Sequence, residues 1–429
     1  MLAIWRVWKS SKHCSGVNDM AEQHEKALVP QIRFTGFTDP WEQRKLGELA
    51  SKRIEKNTNG IKETFTNSAE HGVVSQLDYF DHDITNDANI GNYSVVHPDD
   101  FIYNPRISAV APCGPINRNK LDRNGVMSPL YTVFSVDDTI DKLYLEHYFK
   151  TSRWHQFMFL EGNSGARSDR FSISDSIFFE MPIQCPVLEE QELIASFFGR
   201  LDSLITLHQR KYDKLCVLKK SMLDKMFPKG GSLYPEIRFA GFTDPWEQRK
   251  LSSTCEQLSR TINPLETPNE EFTEYSMPAF DNNETAETVI GNSMNSLRKI
   301  VDRPCLLVNK LNVRKKRIWH VPRPEANAVC SSEFVPFSSH SSDLSFIKIS
   351  LLSERITAYL ESCSSGSSNS QKRVTPEIIM SSEIIAPSLA EQRRIGAFFD
   401  RLDSLITLHQ RKLELLRNIK KSMLDKMFV

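Results

Sequence analysis

Two long stretches of the chain repeat apolar residues with the period of an α-helix. The first, Glu189–Phe227, contains no proline and ends at Pro228, and the second runs from Ser388 to about Phe428. Each contains positions at alternating steps of three and four, the a/d spacing of a coiled coil. We predict two long helices packed as an antiparallel coiled coil, with two helices buried in separate domains as the alternative. The positions are Leu201, Leu204, His208, Lys211, Leu215, Leu218 and Met222, then Leu402, Leu405, His409, Lys412, Leu416, Ile419 and Met423.

The segments before these helices have a mixed pattern. Short β-like runs, such as 93–96 and 306–308, alternate with helical stretches such as 142–149 and 344–359. Polar loops rich in Gly, Ser and Asn join them. Each segment therefore predicts an α+β globular domain of about 140 residues.

The chain also repeats itself, but unevenly. Its repeated texts are PQIRFTGFTDPWEQRKL and PEIRFAGFTDPWEQRKL at 30–46 and 235–251, RLDSLITLHQRK at 200–211 and 401–412, and KKSMLDKMF at 219–227 and 420–428. The opening motifs agree at 15 of 17 positions, whereas the middles, about 47–185 and 252–386, share almost nothing. This pattern indicates a pseudo-twofold internal repeat whose halves each have an opening motif, a middle and a terminal helix.

The repeated helices keep polar residues as well as apolar ones. A packed core would not require this, because it accepts any apolar residue of suitable size. A surface that occurs twice is expected to bind the same kind of partner twice, whereas the two unlike middles are expected to bind two different ligands. Recent exchange of the middles between genes would leave the same pattern and stays open. The predicted partner-binding residues are Asp202, Gln209 and Arg210, with Asp403, Gln410 and Arg411 in the second copy.

Composition narrows the class of protein. Lys+Arg and Asp+Glu are both 54, so any positively charged surface for binding nucleic acid must be a local one. The eight cysteines form no C-x-x-C pair, which argues against a zinc site or a secreted disulfide framework and favours reduced thiols in the cytoplasm. No window approaches 18 apolar residues, and the N-terminus lacks a signal-peptide pattern.

Local clusters of basic and amide residues suggest contacts to DNA. Residues 304–324 contain six Lys/Arg and no acid, and such cations neutralise phosphates while amide and guanidinium groups read base edges. Loops at the same place in both halves, 161–171 and 363–374, carry similar residues. For any single cluster, a solvated charged face is the alternative. The predicted DNA-binding residues are Asn117, Arg118, Lys120, Arg123, Asn163, Arg167, Arg170, Lys310, Asn312, Arg314, Lys315, Arg317, Asn369, Gln371, Lys372 and Arg373.

The catalytic motifs that we sought do not occur. The chain has no G-x-x-x-x-G-K-[ST], G-x-G-x-x-G, G-x-S-x-G or H-E-x-x-H. Asn104-Pro105 is followed by Arg106-Ile107 rather than by the Pro-aromatic pair of an amino-methyltransferase. We therefore expect no catalytic residues, cofactor site or metal site on this chain.

The chain resembles the specificity subunit of type I restriction–modification systems from about residue 30 onward. The resemblance is carried by GFTDPWEQRKL at Gly36–Leu46 and Gly241–Leu251, and by the duplicated helix text. It also rests on the P-x-L-x-E-Q entry to each helix, at Pro186–Gln191 and Pro387–Gln392. The resemblance implies a non-catalytic protein with two target-recognition domains, each reading one half of a split DNA site, separated by conserved helices.

The resemblance also implies partners and a domain plan. Two modification subunits and the restriction subunits would join the chain on double-stranded DNA, and they would bind the S-adenosylmethionine, ATP and Mg²⁺ of the complex. An autonomous methyltransferase or nuclease with unrecognised motifs, and a protein scaffold that does not bind DNA, remain alternatives. The predicted domains are a disordered N-terminal extension at 1–29, target-recognition domains at 30–185 and 235–386, a helical spacer and linker at 186–234, and a second helical spacer at 387–429.

Overall fold

A computed structural model of the chain describes residues 6–7, 28–79, 87–164, 169–366 and 371–429. The predicted extension 1–29 lies outside these residues except for 6–7 and 28–29, and Arg167 and Asn369 also lie outside them. The described residues divide into two compact units. Unit 1 contains the chain up to Gln209 together with Arg411–Val429, and unit 2 is Arg210–Gln410.

Unit 1 is an α+β domain with a small antiparallel sheet at its centre. Its strands are β1 (Arg6–Val7), β2 (Ile32–Arg33), β3 (Glu42–Lys45), β4 (Ala50–Lys52), β5 (Phe65–Ser68), β6 (Gly72–Ser75), β7 (Ser94–Val96), β8 (Phe101–Tyr103), β9 (Ile116–Arg118), β10 (Gly125–Met127), β11 (Thr132–Val136), β12 (Asn163–Ser164), β13 (Phe171–Ser172) and β14 (Pro182–Cys185). Its helices are α1 (Leu46–Leu49), α2 (Gln76–Tyr79), α3 (Lys142–Tyr148), α4 (His155–Glu161), α5 (Asp175–Phe178) and the first part of α6 (Leu188–Lys225). The central sheet has the order β4-β11-β8-β9.

Unit 2 has the same kind of centre. Its strands are β15 (Glu247–Lys250), β16 (Cys255–Gln257), β17 (Thr261–Ile262), β18 (Glu271–Tyr275), β19 (Glu287–Ile290), β20 (Arg298–Ile300), β21 (Cys305–Asn309), β22 (Ile318–Val321), β23 (Ala328–Cys330), β24 (Phe334–Ser339) and β25 (Glu383–Ala386). Its helices are α7 (Met277–Asp281), α8 (Leu344–Leu351), α9 (Glu354–Ser362), α10 (Pro376–Met380) and the first part of α11 (Leu389–Met427). The order β16-β24-β21-β22 matches that of unit 1, so the unlike middles share a core topology.

The two middles differ in what surrounds this shared sheet. Unit 2 adds a five-stranded sheet in the order β17-β20-β23-β18-β19, in which β18 and β23 are parallel. Unit 1 has the hairpin β5-β6 and the pair β7-β10. The sequence divergence is therefore accompanied by different additions to a common core.

The opening motif of each half is held by the motif that begins the long helix. The strand β3 pairs antiparallel with β14, and β15 pairs with β25 in the same way. The guanidinium of Arg33 donates two hydrogen bonds of 2.7 Å to the buried carboxylate of Glu190. Arg238 donates to Glu391 with the same two distances. Such bidentate pairs combine charge with fixed geometry, so each fixes where the helix starts.

The glutamine that follows each of these glutamates satisfies two backbone groups. The Gln191 side chain donates to the carbonyl of Pro186 and accepts from the backbone N–H of Asp141. Gln392 does the same with Pro387 and Asp343. Both aspartates cap a short helix, α3 or α8. We call the Arg–Glu pair with this glutamine the latch; it links the opening motif, the long helix and the short helix in each unit.

The end of each long helix completes a core that begins elsewhere in the chain. In unit 1, Phe428 is buried against Trp41, with ring centroids 6.3 Å apart. In unit 2, Phe227 meets Trp246 at 5.7 Å. The text KKSMLDKMF is therefore kept in both copies partly because its final phenylalanine packs on the tryptophan of an opening motif.

The two long helices pack antiparallel, as predicted. Within unit 1, Asp202 of α6 forms an ion pair with Lys420 of α11 at 2.5 Å. Within unit 2, Lys219 of α6 pairs with Asp403 of α11. These pairs are equivalent under the internal repeat, and each lies inside one unit. None of the helices in the described part of the chain has the length and apolar character needed to cross a bilayer.

Four of the predicted coiled-coil positions lie outside the seam between the helices. The buried and partly buried seam contains Leu201, Ile205, His208, Tyr212, Leu215, Lys219 and Met222, and the equivalent series from Leu402 to Met423. Leu204, Lys211, Leu218 and Lys412 are exposed instead, whereas the predicted Leu405 and Ile419 are partly buried. Steps of three-four and of four-three both average 3.5, and apolar neighbours such as Leu204 and Ile205 fit either choice. The sequence therefore could not decide between them, and the ion pairs of Lys219 and Lys420 set the register.

A buried histidine lies in unit 1 between the short helix α3 and the long helix α6. His147 on α3 is 1% exposed and packs on Phe198 of α6, with ring centroids 5.0 Å apart. Within the described residues, neither of its ring nitrogens has a hydrogen-bond partner. Burial lowers the pKa of His147 to about 4, so the ring is neutral at pH 7. Counting from the capping aspartates, Ile349 occupies the equivalent place in unit 2.

We predict that Glu190→Gln destabilises unit 1 by about 3–5 kcal/mol, because it leaves the Arg33 guanidinium buried without its counter-charge. Hydrogen exchange read separately on peptides of the two units measures this. Protection should fall in unit 1 only, and Glu391→Gln should act on unit 2 only. Glu192→Gln is the matched control at an exposed position of the same helix, with an effect within about 0.5 kcal/mol. Equal effects of Glu190→Gln and the control would contradict the role of the latch.

We predict that His147→Ile removes a destabilisation of unit 1 by acid. The folded-state pKa of His147 lies below its ordinary value of 6.5, so the unfolded chain binds the proton more tightly. Stability is therefore complete above about pH 6.5 and is lost as the pH falls toward 4, by about 2 kcal/mol at pH 5. Thermal unfolding of both proteins at pH 7 and pH 5 tests this. The same drop in both would show that His147 is not the titrating group.

Candidate nucleic-acid interface

In both units, a buried strand of the central sheet ends at an asparagine that closes a tight turn. Asn104 follows β8, and its side-chain oxygen accepts from the backbone N–H of Arg106 at 3.0 Å. Asn309 ends β21 and accepts from the N–H of Leu311 at 2.8 Å. Both asparagines are buried, so they shape the turn rather than face a ligand. The turn places the residues that follow it at the surface.

A hairpin lies beside this turn in each unit. In unit 1, β12 and β13 form the hairpin, and Arg170 bridges to Arg106 of the turn. In unit 2, Ser365 pairs with Arg373, which also bridges to Leu311. The predicted loops thus lie at the same topological place in both units. Their central residues, 165–168 and 367–370, lie outside the described residues.

Unit 2 brings two predicted basic clusters together. The backbone N–H of Asn312 donates to the carbonyl of Lys372 at 2.9 Å, and that of Val374 donates to Lys310 at 3.1 Å. Asn312 and Lys316 adopt left-handed backbone conformations, with φ of 51° and 49°. They bound the short helical turn 313–315, which carries Arg314 and Lys315 to the surface. This surface also includes the exposed Gln371.

Several of these cations already have acidic partners within unit 2. Arg317 forms a bidentate pair with Asp281 at 2.8 and 2.5 Å, and its hydrogen bond lowers the pKa of that carboxyl. Arg314 pairs with Glu361 and lowers its pKa in the same way. Arg373 contacts Glu333 at 3.1 Å. These three arginines must exchange a carboxylate for a phosphate or base if they are to contact DNA, which reduces the net gain of each contact.

The polar and charged side chains of the predicted cluster 117–123 mostly contact other residues of unit 1. Asn117 is buried and donates to the side-chain oxygen of Asn67 at 2.6 Å. Arg118 contacts Asp99 at 2.7 Å and Glu146 at 2.9 Å, and Lys120 also pairs with Glu146.

Glu146, the carboxylate that contacts Arg118 and Lys120, is held in its ionised form. Burial alone would raise the pKa of Glu146, but Lys120 and Arg118 outweigh it and lower the pKa. Arg123 is exposed and contacts Glu63 at 3.1 Å. Its DNA contact stays a prediction, as do those of Arg118 and Lys120, whereas the buried amide of Asn117 does not face solvent.

The hairpin of unit 1 presents Asn163 and the partly exposed Arg170 at the surface. The adjacent turn adds the exposed Arg106, which the sequence analysis did not select. Its position in the chain was the available signal. Arg106 follows the strand-ending Asn104 by two residues, just as Leu311, the neighbour of Lys310, follows Asn309 by two. That correspondence becomes visible only once the unlike middles are aligned through their shared sheet.

The predicted partner-binding residues divide between internal and outward positions. Asp202 and Asp403 form the interhelical ion pairs, and Gln209 accepts from Arg417 at 3.0 Å. Arg210 and Arg411, at equivalent positions in the two helices, are exposed. Leu207 and Leu408 are also equivalent, and both are 46% exposed. An apolar and basic surface therefore occurs twice on the helices.

The chemistry that these surfaces offer is hydrogen-bond donation by amide, ammonium and guanidinium groups. No group of three His, Cys, Asp or Glu arranged to hold a metal ion occurs among the described residues. The seven cysteines in the described part of the chain are all free thiols. Burial raises the pKa of several, including that of Cys113 to about 11, so these stay protonated at neutral pH.

Comparison with known proteins agrees with this arrangement. The model of the type I restriction modification DNA specificity domain matches the chain twice, over residues 38–216 and 244–418. Among solved structures, a type I restriction-modification system S subunit from M. genitalium has a TM-score of 0.58 at 14% identity, covering 94% of this chain and 99% of that one.

A second solved structure is more distant. The HsdS subunit from Thermoanaerobacter tengcongensis has a TM-score of 0.40 at 16% identity, covering 90% of this chain and 96% of that one. The likeness in fold rests on the M. genitalium structure. With two specificity domains over most of its length, the chain belongs to the type I restriction modification DNA specificity family, and its function is DNA target recognition.

Proposed function

We propose that this chain reads an asymmetric, bipartite DNA target, with one half-site read by the hairpin and turn of each unit. The observation that carries this proposal is the combination of a duplicated frame with unlike surfaces at matching places. Both units have the strand-ending asparagine turn beside a hairpin. The residues on that turn and hairpin differ between the units, so two different half-sites follow.

Within each half-site, cations set the position of the protein and planar side chains set the sequence. In unit 2, Lys310, Lys315 and Lys372 would contact phosphates, because none of them forms a close ion pair with a carboxylate of the described residues, although Asp281 and Glu361 lie near Lys315 and Lys372. Asn312 and Gln371 offer amide groups of the type that pair with adenine. In unit 1, Arg106, Asn163 and Arg170 take the corresponding roles, with guanidinium groups suited to guanine.

The partners that we propose are modification and restriction subunits, with the helices as the docking surface. Two equivalent surfaces around Leu207–Arg210 and Leu408–Arg411 support the binding of two copies of one subunit. We propose that the partner subunits hold the S-adenosylmethionine, ATP and Mg²⁺ of the complex, that this chain is non-catalytic, and that the assembly works in the cytoplasm.

The separation of the half-sites is proposed to depend on the helices. At about 1.5 Å per residue, helices of 38 and 39 residues are each nearly 60 Å long. We propose that a helix pair of that length sets how many unread base pairs lie between the half-sites, as subunit spacing does in dimeric DNA-binding proteins.

We predict that replacing residues 252–386 with the middle of another family member changes one half-site and leaves the other unchanged. The complex with modification subunits is assayed for methylation on a library of bipartite duplexes. Replacing 47–185 is the matched exchange and should change only the other half-site. The chain alone, incubated with S-adenosylmethionine and DNA, serves as the control for a non-catalytic role.

A change in both half-sites after either exchange would contradict one reader per unit. Methyl transfer or cleavage by the chain alone would identify it as an enzyme in its own right. Complexes that methylate without any sequence preference would favour the protein-scaffold alternative.

A further inference from the structure

Unit 1 contains a second basic surface, away from its hairpin. A groove of about 390 Å³ lies between the turn that follows α3 and the last turns of α11. Five cations and one carboxylate line it: Lys150, Arg153, Arg417, Lys420, Lys421 and Asp425. We call this the basic groove. None of its residues belongs to the clusters that the sequence analysis selected.

Four of these five cations lack an acidic partner within the described part of the chain. Lys150 donates to the amide oxygen of Asn117, and Arg417 to that of Gln209. Arg153 donates to the backbone carbonyl of Asp425 at 2.7 Å. Lys421 is exposed and forms no ion pair with a carboxylate of the described residues. Lys420 alone is neutralised, by Asp202 at 2.5 Å.

The predicted DNA-binding arginines differ from these cations in that they already have carboxylate partners. Arg118, Arg123, Arg314, Arg317 and Arg373 all pair with carboxylates. A cation that is already paired gains less from a phosphate, because the contact must replace an existing one. Apart from Lys420, the cations of the basic groove give up only neutral hydrogen-bond partners, so an anion placed among them replaces no ion pair.

The interior end of the basic groove lies beside a cavity of mixed charge. Lys150 and Lys420 also line this cavity of about 260 Å³, together with Arg118, Lys120 and the carboxylates of Glu70, Glu146 and Asp202. Burial lowers the pKa of Lys150, the charges of Glu146 and Asp202 raise it, and those of Lys120 and Lys420 lower it. Because carboxylates already offset the cations of the cavity, the excess positive charge of the basic groove comes mainly from Arg153, Arg417 and Lys421.

The basic groove is only partly repeated in unit 2. Counting from the capping aspartates, the equivalent of Lys150 in unit 2 is Leu352, and the equivalent of Arg417 on the helix is Cys216. Only Arg355, Lys219 and Lys220 remain at the matching places, and Lys219 pairs with Asp403. A surface that receives one of two identical subunits should occur twice. The full set of five cations occurs in unit 1 alone, because unit 2 lacks equivalents of Lys150 and Arg417. This difference favours an occupant that meets unit 1 over one of two identical subunits.

We infer that the basic groove binds the phosphate backbone of the DNA beside the half-site read by unit 1. This inference rests on the proposed function, because it takes a DNA duplex as the ligand. Backbone contacts of this kind raise affinity for every sequence and carry no sequence preference. Unit 1 would then hold DNA partly through the basic groove, whereas unit 2 would hold it through Lys310, Lys315 and Lys372.

The test compares Arg417→Gln/Lys421→Gln with a control of equal charge change, Lys214→Gln/Lys220→Gln, at exposed positions of α6. Each full-length variant is assembled with its modification subunits. Binding to a target duplex and to a non-target duplex is measured across a salt series. The groove variant should bind both duplexes at least ~10-fold more weakly at low salt. Its log K versus log salt slope should be about 2 smaller than that of the wild type.

The control should keep the wild-type slope, and Lys421→Gln alone should lower the slope by about 1. Lys421 is exposed, so this single variant keeps the test valid if the double variant folds poorly. Unchanged slopes in the groove variants, with the target preference intact, would overturn the inference and leave the proposed function standing. Loss of subunit assembly in place of DNA affinity would also overturn it. A wild-type complex that does not prefer the target would instead overturn the proposed function.

Discussion

The fold depends on a buried ion pair that occurs twice. The pairs Arg33–Glu190 and Arg238–Glu391 each tie an opening motif to the first turn of a long helix. Each glutamate is almost fully buried, so it requires the matching arginine, and neither residue can change alone without leaving a buried charge. This coupling accounts for the retention of the arginine and the glutamate in both copies, while the residues between the motifs diverge. The adjacent glutamine extends the constraint to α3 and α8 through their capping aspartates.

The same constraint leaves the middles free to vary on their outer surfaces. Both keep the four-stranded sheet order and the asparagine turn, because these elements connect to the latch and the core. Beyond them, unit 2 adds a five-stranded sheet, and the two hairpins carry different residues. The basic groove extends this asymmetry to the helix pair, since Arg417 and Cys216 lie in the stretches 413–419 and 212–218, which share only one residue of seven. Residues at the latch are the same in both units, whereas residues on the outer surfaces of the middles differ. This distribution is consistent with recognition of two unlike half-sites.

The sequence predicted those features that depend on local periodicity or on the internal repeat. The periodicity of the long helices and the internal repeat predicted the α+β units and the antiparallel pair. Four seam positions were assigned wrongly, because neighbours such as Leu204 and Ile205 are equally apolar and only the partner helix decides between them. Asn117 was selected for its composition, yet it is buried against Asn67. Arg106 and Lys150 were missed because their surroundings come from residues distant in sequence. Which cations are already paired with acids is likewise a property of the folded chain.

The most direct test of the account inserts one helical turn, four residues, into both long helices, after Lys211 and after Lys412. The complex is then assayed for methylation on duplexes with spacers of different length between the half-sites. If the helices hold two independent readers apart, both half-sites should stay the same and the preferred spacer should change by about two base pairs. Four residues inserted between the exposed Gly230 and Gly231 should leave the spacer unchanged. An unchanged spacer after the helix insertions would contradict the central claim.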